Sequence, residues 1–199
     1  MPGANWFPES RLNYAENLLK LRSNKEAIVF QGEDRVTNRL TYSELYDAVS
    51  ITAQALSATG VKKGDRVAAF MPNLPDTIIF MLAATSLGAL WSSCSPDFGT
   101  QGVLDRFGQI KPKILIGVDG YFYNGKEIDT TKKLSEIANT LTSLKKVIVV
   151  PYTKARPNIQ SIKHSVHLKD FVSRYGPEPI KFVQLPFNHP LFIMFSSGT

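Results

Sequence analysis

The chain has 199 residues, 43% of them apolar and 20% charged, a balance that supports a buried core and excludes a wholly disordered protein. Its net charge of +6 is unevenly placed, because residues 111–199 carry 13 of the 23 basic but only 6 of the 17 acidic side chains. A single cysteine, Cys94, excludes an internal disulfide and a cysteine-based metal cluster, and it fits a reducing compartment.

The chain opens with Met1 to Asn5 and the aromatic-rich Trp6-Phe7-Pro8, without the basic start and apolar run of a secretory signal. A short helix is predicted from Leu12 to Leu21, with Leu12, Ala15, Leu18 and Leu19 as its apolar positions. Ala27 to Phe30 reads as a strand and Gly32-Glu33-Asp34 as its turn. Thr41 and Glu44 have the spacing of a capping box. They start a helix that carries Leu45, Ala48, Val49, Ala53 and Leu56 on one face and stops at Gly60.

Strands and helices then alternate. Strands are predicted at Arg66–Met71, Leu90–Cys94, Ile114–Gly117 and Val147–Val150, with helices at Asp76–Leu87, Thr100–Gln109 and Thr130–Leu141 and a loop over Gly120–Gly125. Short apolar runs separated by amphipathic helices indicate βαβ units, hence an α/β fold with a mostly parallel sheet covered by helices on both faces. The uncharged stretch from Thr77 to Pro96 contains Thr85, Ser86, Gly88 and a serine cluster. A buried helix running into a buried strand explains it better than a membrane span. Lys154–His164 reads as a surface loop, Val166–Phe171 as a short strand and helical turn, and Gly176–Pro186 as an irregular crossing.

The lysines of the basic part stand as pairs and singles near expected helix ends, without interleaved aromatics. A solvated face is favoured over a nucleic-acid surface. Asp105-Arg106 reads as a surface helix pair, His164, His167 and His189 form no metal-ligand pattern, and Cys94 reads as a buried thiol. The apolar run Leu191–Phe195 is expected to be a buried strand. After it, Ser196-Ser197-Gly198-Thr199 offers backbone N–H groups, hydroxyls and a conformationally free glycine, the ingredients of a phosphate-cradling loop. The glycine-lysine run of a P-loop kinase is not found.

Several segments, in this order and spacing, resemble the adenylate-forming (acyl-CoA synthetase) superfamily. They are Leu40-Thr41-Tyr42-Ser43-Glu44-Leu45, Gly60-Val61-Lys62-Lys63-Gly64-Asp65-Arg66-Val67, Met71-Pro72-Asn73, Leu87-Gly88-Ala89 and Phe195-Ser196-Ser197-Gly198-Thr199. Trp6-Phe7 and Arg11 to Leu19 are similar to the acetyl-CoA synthetase-like branch. Within it, Trp91 to Gly99, Tyr123 to Glu127 and His189 to Phe195 are similar to the acetoacetate-activating members.

The resemblance implies an ATP-dependent ligase that activates acetoacetate as an acyl-adenylate and transfers it to CoA, with ATP, Mg²⁺ and CoA as its small-molecule requirements. It implies no nucleic acid, no membrane and a cytoplasmic location. Residues 1–40 would be an opening segment, and residues 41–199 an incomplete α/β domain ending inside the phosphate loop, with the C-terminal domain and its catalytic residues absent. Ser196, Ser197, Gly198 and Thr199 would meet the ATP phosphates. Ser95, Pro96, Asp97 and Phe98 would lie against the CoA adenine and Lys126 near its 3′-phosphate. Asp97 has a second reading as a helix cap, and Lys126 as a solvated loop lysine. The rival to a ligase is a free-standing, non-catalytic α/β module that binds CoA or a protein partner.

Overall fold

The computed structural model describes Gly3, residues 6–33 and residues 37–196. Its first elements are β1 (Arg11–Leu12), α1 (Tyr14–Leu18), β2 (Glu26–Gln31), β3 (Thr37–Thr41), α2 (Tyr42–Ala58), β4 (Arg66–Phe70), α3 (Pro75–Ser86) and β5 (Leu90–Cys94). There follow α4 (Thr100–Ile110), β6 (Ile114–Val118), β7 (Gly120–Tyr123), β8 (Lys126–Asp129), α5 (Thr131–Thr140) and β9 (Lys146–Val150). The chain continues with β10 (Ser165–His167), α6 (Leu168–Val172) and β11 (Leu185–Pro186).

Five strands pair in the order β10-β9-β6-β4-β5, and every pairing is parallel. Parallel neighbours need crossovers, so the helices must cover the sheet, and its inner strands are apolar on both faces. Alternate residues serve two cores. On one face Val67, Ala69, Ile114, Ile116, Ile148 and Val150 join Val49 and Leu56 of α2 and Phe80 and Leu82 of α3. On the other, Ala68, Phe70, Leu115, Val147 and Val149 join Val103 and Phe107 of α4 and Leu134 and Ile137 of α5. Each such large side chain contributes on the order of 1.5–3 kcal/mol through burial.

The α/β reading and most element positions hold. The Thr41–Glu44 capping box is formed, and α2 ends before Gly60, whose φ of +86° suits a residue without Cβ. The stretch Thr77–Pro96 is divided between α3 and β5, and among the described residues no helix is long and apolar enough to cross a membrane.

Three expectations need correction. The helix expected over Leu12–Leu21 spans only Tyr14–Leu18. Buried Asn13 caps it and turns its amide nitrogen to the carbonyls of Thr85 (3.1 Å), Ser86 (3.1 Å) and Val183 (2.9 Å). This tertiary anchoring overrides the longer apolar periodicity. The loop expected over Gly120–Gly125 is the hairpin β7–β8. Its Asn124-Gly125 turn has φ of +49° and +70°, the pair of positive values that a tight hairpin turn requires.

The third correction concerns Leu191–Phe195, which lies along the edge strand β5 through the bridge Trp91–Phe192 but is only half-buried, with Met194 86% exposed. It meets a sheet neighbour on one side only among the described residues. Its alternate side chains therefore stay in solvent.

Gly117 faces α5 so closely that a Cβ would come within 2.5 Å of the methyls of fully buried Leu134. Gly117→Ala should destabilise the chain by about 1–3 kcal/mol, read as a lower denaturant midpoint, and Leu134→Ala in the same chain should relieve part of the clash. A second expectation concerns Glu44. The backbone N–H of Thr41, then its hydroxyl, hold the Glu44 carboxylate below its ordinary value of 4.5. A depressed acid stabilises above its unfolded value and loses that contribution as pH falls through the folded one. Glu44→Ala should therefore lower the melting temperature at neutral pH, and the gap to the parent should close as the pH falls below about 4.

Candidate functional site

β5 and β6 pair with opposite edges of β4, so the chain leaves β4 in one direction and returns on the other. At such a reversal the loops at the carboxyl ends of the strands diverge and leave a crevice, the usual ligand position in an open parallel sheet. A cavity of about 490 Å³ lies there, lined by Pro72, Ser95, Pro96, Asp97, Tyr121 and Tyr123. Pro72 follows β4, Ser95–Asp97 follow β5, and the tyrosines belong to the hairpin after β6. The walls combine apolar rings with a few polar groups, as small-molecule sites do.

The turn after β5 is shaped by its own backbone, with the Phe98 N–H donating to Ser95 O at 3.2 Å. Lys133 of α5 supports it, its Nζ standing 3.4 Å from both Pro96 O and Phe98 O. Asp97 is exposed toward the cleft, and α4 is capped by Gly99 without a side-chain hydrogen bond, so Asp97 does not serve as the helix cap. Its carboxylate acts on Tyr121 instead. Burial, then Asp97, then Tyr123 raise the Tyr121 phenol above its ordinary value of 10.

Of the residues expected around CoA, Ser95, Pro96 and Asp97 thus share one cavity, while Phe98 and Lys126 stand off its wall. The Phe98 ring turns toward α4, where the Arg106 guanidinium lies 4.9 Å from its centroid. Lys126 is exposed beside the hairpin turn, opposite Tyr123 in register. Pro72, Tyr121 and Tyr123 also line the cavity, Pro72 and Tyr123 from segments that carry the family resemblance and Tyr121 from outside them. The Asn124-Gly125 signal, following Tyr121-Phe122-Tyr123, marks that hairpin in the sequence.

Arg106 also departs from the expected surface pair with Asp105. It bends back to donate to Gly102 O at 2.7 Å, and its guanidinium lies 6.0 Å from the Phe195 ring. Asp105 instead accepts from Gln101 at 2.7 Å. Arg106 thus touches both the Ser95–Phe98 turn and the residue that precedes Ser196. The Trp91 N–H donates to Leu191 O (3.0 Å), the Ile193 N–H to Trp91 O (2.9 Å) and the Ser92 hydroxyl to Ile193 O (2.8 Å). Those bonds run the last segment parallel to β5 and bring exposed Ser196 out at the same end of the sheet as the cleft. Ser197, Gly198 and Thr199, the rest of the expected phosphate loop, lie outside the described residues.

Cys94 is buried at the end of β5, and burial, opposed by the nearby Arg106 charge, pushes its thiol up from 9.0. That favours a packed thiol over a nucleophile. A ring nitrogen of His189 pairs with Gly88 O at 3.0 Å. Among the described residues, no group of three or more His, Cys, Asp or Glu is placed to hold a metal ion.

A parallel α/β sheet with a crevice at its strand reversal, and Ser196 emerging at the same end, is the arrangement of a small-molecule-binding α/β domain. The family model for AMP-binding enzymes matches residues 16–199, and the chain belongs to that family. Among its relatives, the acetoacetyl-coenzyme A synthetase of Rhizobium meliloti (strain 1021) is 52% identical over 200 residues, covering 100% of this chain and 30% of the relative. The acetoacetyl-CoA synthetase of Macaca fascicularis is 48% identical, covering 98% of this chain and 30% of the relative. The solved acetoacetyl-CoA synthetase from Streptomyces lividans superposes with a TM-score of 0.91 at 38% identity, covering 100% of this chain and 30% of that one. The chain therefore spans 30% of the length of these relatives.

The electrostatic coupling in the cleft is open to direct measurement. In a spectroscopic pH titration the Tyr121 phenol should ionise above 10. Asp97→Asn removes a neighbouring negative charge and should bring that ionisation down, with burial keeping part of the elevation. An unmoved Tyr121 titration would show that Asp97 does not face it.

Proposed function

We propose that this chain works within an ATP-dependent acid–thiol ligase that converts acetoacetate, ATP and CoA to acetoacetyl-CoA, AMP and pyrophosphate. What carries the reading is a crevice at the strand reversal, in a chain similar over its whole length to acetoacetyl-CoA synthetases. A carboxylate is a poor acyl donor because its leaving group would be an oxide. Attack of the carboxylate on the α-phosphate of magnesium-bound ATP releases pyrophosphate and gives a mixed anhydride whose leaving group is AMP. The CoA thiol, as thiolate, then attacks the acyl carbon and expels AMP.

In this reading Ser196, Ser197, Gly198 and Thr199 donate to the β- and γ-phosphates, where fixed N–H and O–H donors offset the charge that moves onto pyrophosphate. The cleft takes the nucleotide end of CoA. Pro72, Pro96, Tyr121 and Tyr123 offer ring faces to a flat base, and Asp97 and Ser95 offer acceptors to its amino group. Phe98 acts from outside the cavity, as the ring through which Arg106 holds the turn. Lys126 supplies a mobile positive charge at the hairpin for a terminal phosphate, a point charge and not a bidentate fork. A cytoplasmic location goes with the reading and is supported by the unpaired, buried Cys94.

The protein encoded by the complete reading frame should show acetoacetate-dependent exchange of labelled pyrophosphate into ATP without CoA. With CoA added, it should form the thioester and AMP in equal amounts. Asp97→Ala should raise the KM for CoA by about tenfold, the size expected for a lost polar contact, and leave the exchange reaction unchanged. If acetoacetate fails to support exchange while another short carboxylate does, the substrate assignment is wrong. Absence of exchange with any acid would leave the chain as a binding module.

A further inference from the structure

The hairpin β7–β8 supplies two of the cleft's side chains, Tyr121 and Tyr123, yet among the described residues it forms a separate two-stranded sheet that joins no strand of the main sheet. A two-stranded hairpin has little stability of its own in water. Its orientation over the cleft must come from elsewhere, and two carboxylates provide it.

The first is Asp119, at the base of the hairpin between β6 and β7, with 0% exposure. Its Oδ1 accepts from the backbone N–H groups of Tyr152 (2.6 Å) and Thr153 (3.2 Å). Its Oδ2 accepts from the Lys154 N–H (2.8 Å) and the Thr153 hydroxyl (3.1 Å). Four donors from three consecutive residues fasten the start of the hairpin to the segment that follows β9. The return strand is tied at the same place, because Thr130 donates its N–H to Asp119 O (2.9 Å) and its hydroxyl to Val118 O (2.5 Å). Lys154 also pairs with Asp129 at 2.5 Å. The room for this knot comes from Gly120, where a Cβ would stand 2.8 Å from both Ile128 O and the Thr153 hydroxyl.

The second is Glu33, in the turn after β2. Its two oxygens accept from the N–H groups of Asn124 (2.7 Å) and Gly125 (3.4 Å), at the tip of the hairpin. Between base and tip, the Phe122 ring meets Tyr152 edge-on at 5.5 Å, and Tyr152 meets Phe30 of β2 at 6.3 Å. The hairpin is thus held at both ends and along one side.

We propose that Asp119 and Glu33 are positioning residues for the cleft, setting the hairpin's angle so that Tyr121 and Tyr123 wall it. The functional half of the proposal rests on the cleft being the CoA site. A buried carboxylate with four donors is a rigid joint, because each oxygen's direction is fixed by geometry. An exposed carboxylate on two turn amides is a lighter one. The asymmetry predicts that the base sets the hairpin's position and the tip restrains its swing.

The test compares Asp119→Asn, Thr153→Val and Glu33→Gln with the parent in the full-length protein. Thr153→Val removes only one of the four donors and Glu33 is exposed, so neither variant depends on the buried carboxylate for folding. Hydrogen exchange should become about tenfold faster across residues 120–129 in Asp119→Asn, less so in Thr153→Val, and only around residues 122–127 in Glu33→Gln, with β4, β5 and β6 unchanged. The KM for CoA should rise by about 10- to 100-fold in Asp119→Asn, as small misplacements of binding groups do, while acetoacetate-dependent pyrophosphate exchange holds. Unaltered hydrogen exchange in the hairpin would overturn the clamp. A loosened hairpin with an unchanged KM for CoA would overturn the positioning role, and an equal fall in both half-reactions would reduce the residues to general scaffolding. If the parent lacks ligase activity, the functional reading of the cleft fails, and hydrogen exchange still decides the clamp.

Discussion

Parallel pairing of short strands buried on both faces is the constraint from which the rest of this structure follows. Five-residue strands such as β4, β6 and β9 can satisfy their backbone groups only through neighbours. Parallel neighbours cannot be joined by tight turns, so every link must travel the length of the sheet and back. The helices that make those journeys supply the two cores. The same requirement gathers all the carboxyl ends at one edge, and placing β5 and β6 on opposite sides of β4 parts the loops there. The cleft is thus a product of connectivity before it is a product of particular side chains.

What the sequence made legible tracks how local the physics is. The capping box at Thr41 and Glu44, the glycine stop at Gly60 and the apolar runs of β4, β6 and β9 are each decided within a few residues, and each is found where expected. Asn13 is the counterexample. Its partners at Thr85, Ser86 and Val183 are far away in the chain, and nothing in the heptad-like spacing around it announces them. The half-exposure of Leu191–Phe195 was hidden for a similar reason, since burial of a strand depends on how many neighbours flank it.

The candidate site divides in the same way. Ser95, Pro96 and Asp97 were legible because they follow a strand that could be located, and strand ends are where parallel sheets place their ligands. Tyr121 is harder to read, because Gly120–Gly125 has the composition of a loop, although Asn124-Gly125 after the aromatic run Tyr121–Tyr123 carries the hairpin signal. Phe98 and Lys126 lie near the cavity in the chain but not among its lining residues. Phe98 is drawn to a guanidinium on α4, and Lys126 stands exposed beside the hairpin turn, opposite Tyr123, outside the cavity's lining.

The anchoring of Asn13 has a consequence for the order in which the protein takes shape during synthesis. Its amide reaches Val183, 170 positions later, and β1 pairs with β11. At roughly 5–20 residues per second, Asn13 is made on the order of 10–30 s before those partners. The residues around Asn13 are therefore made well before the neighbours that hold them. Meanwhile Ala15 and Leu19, both destined for the core, stand open to chaperones and proteases.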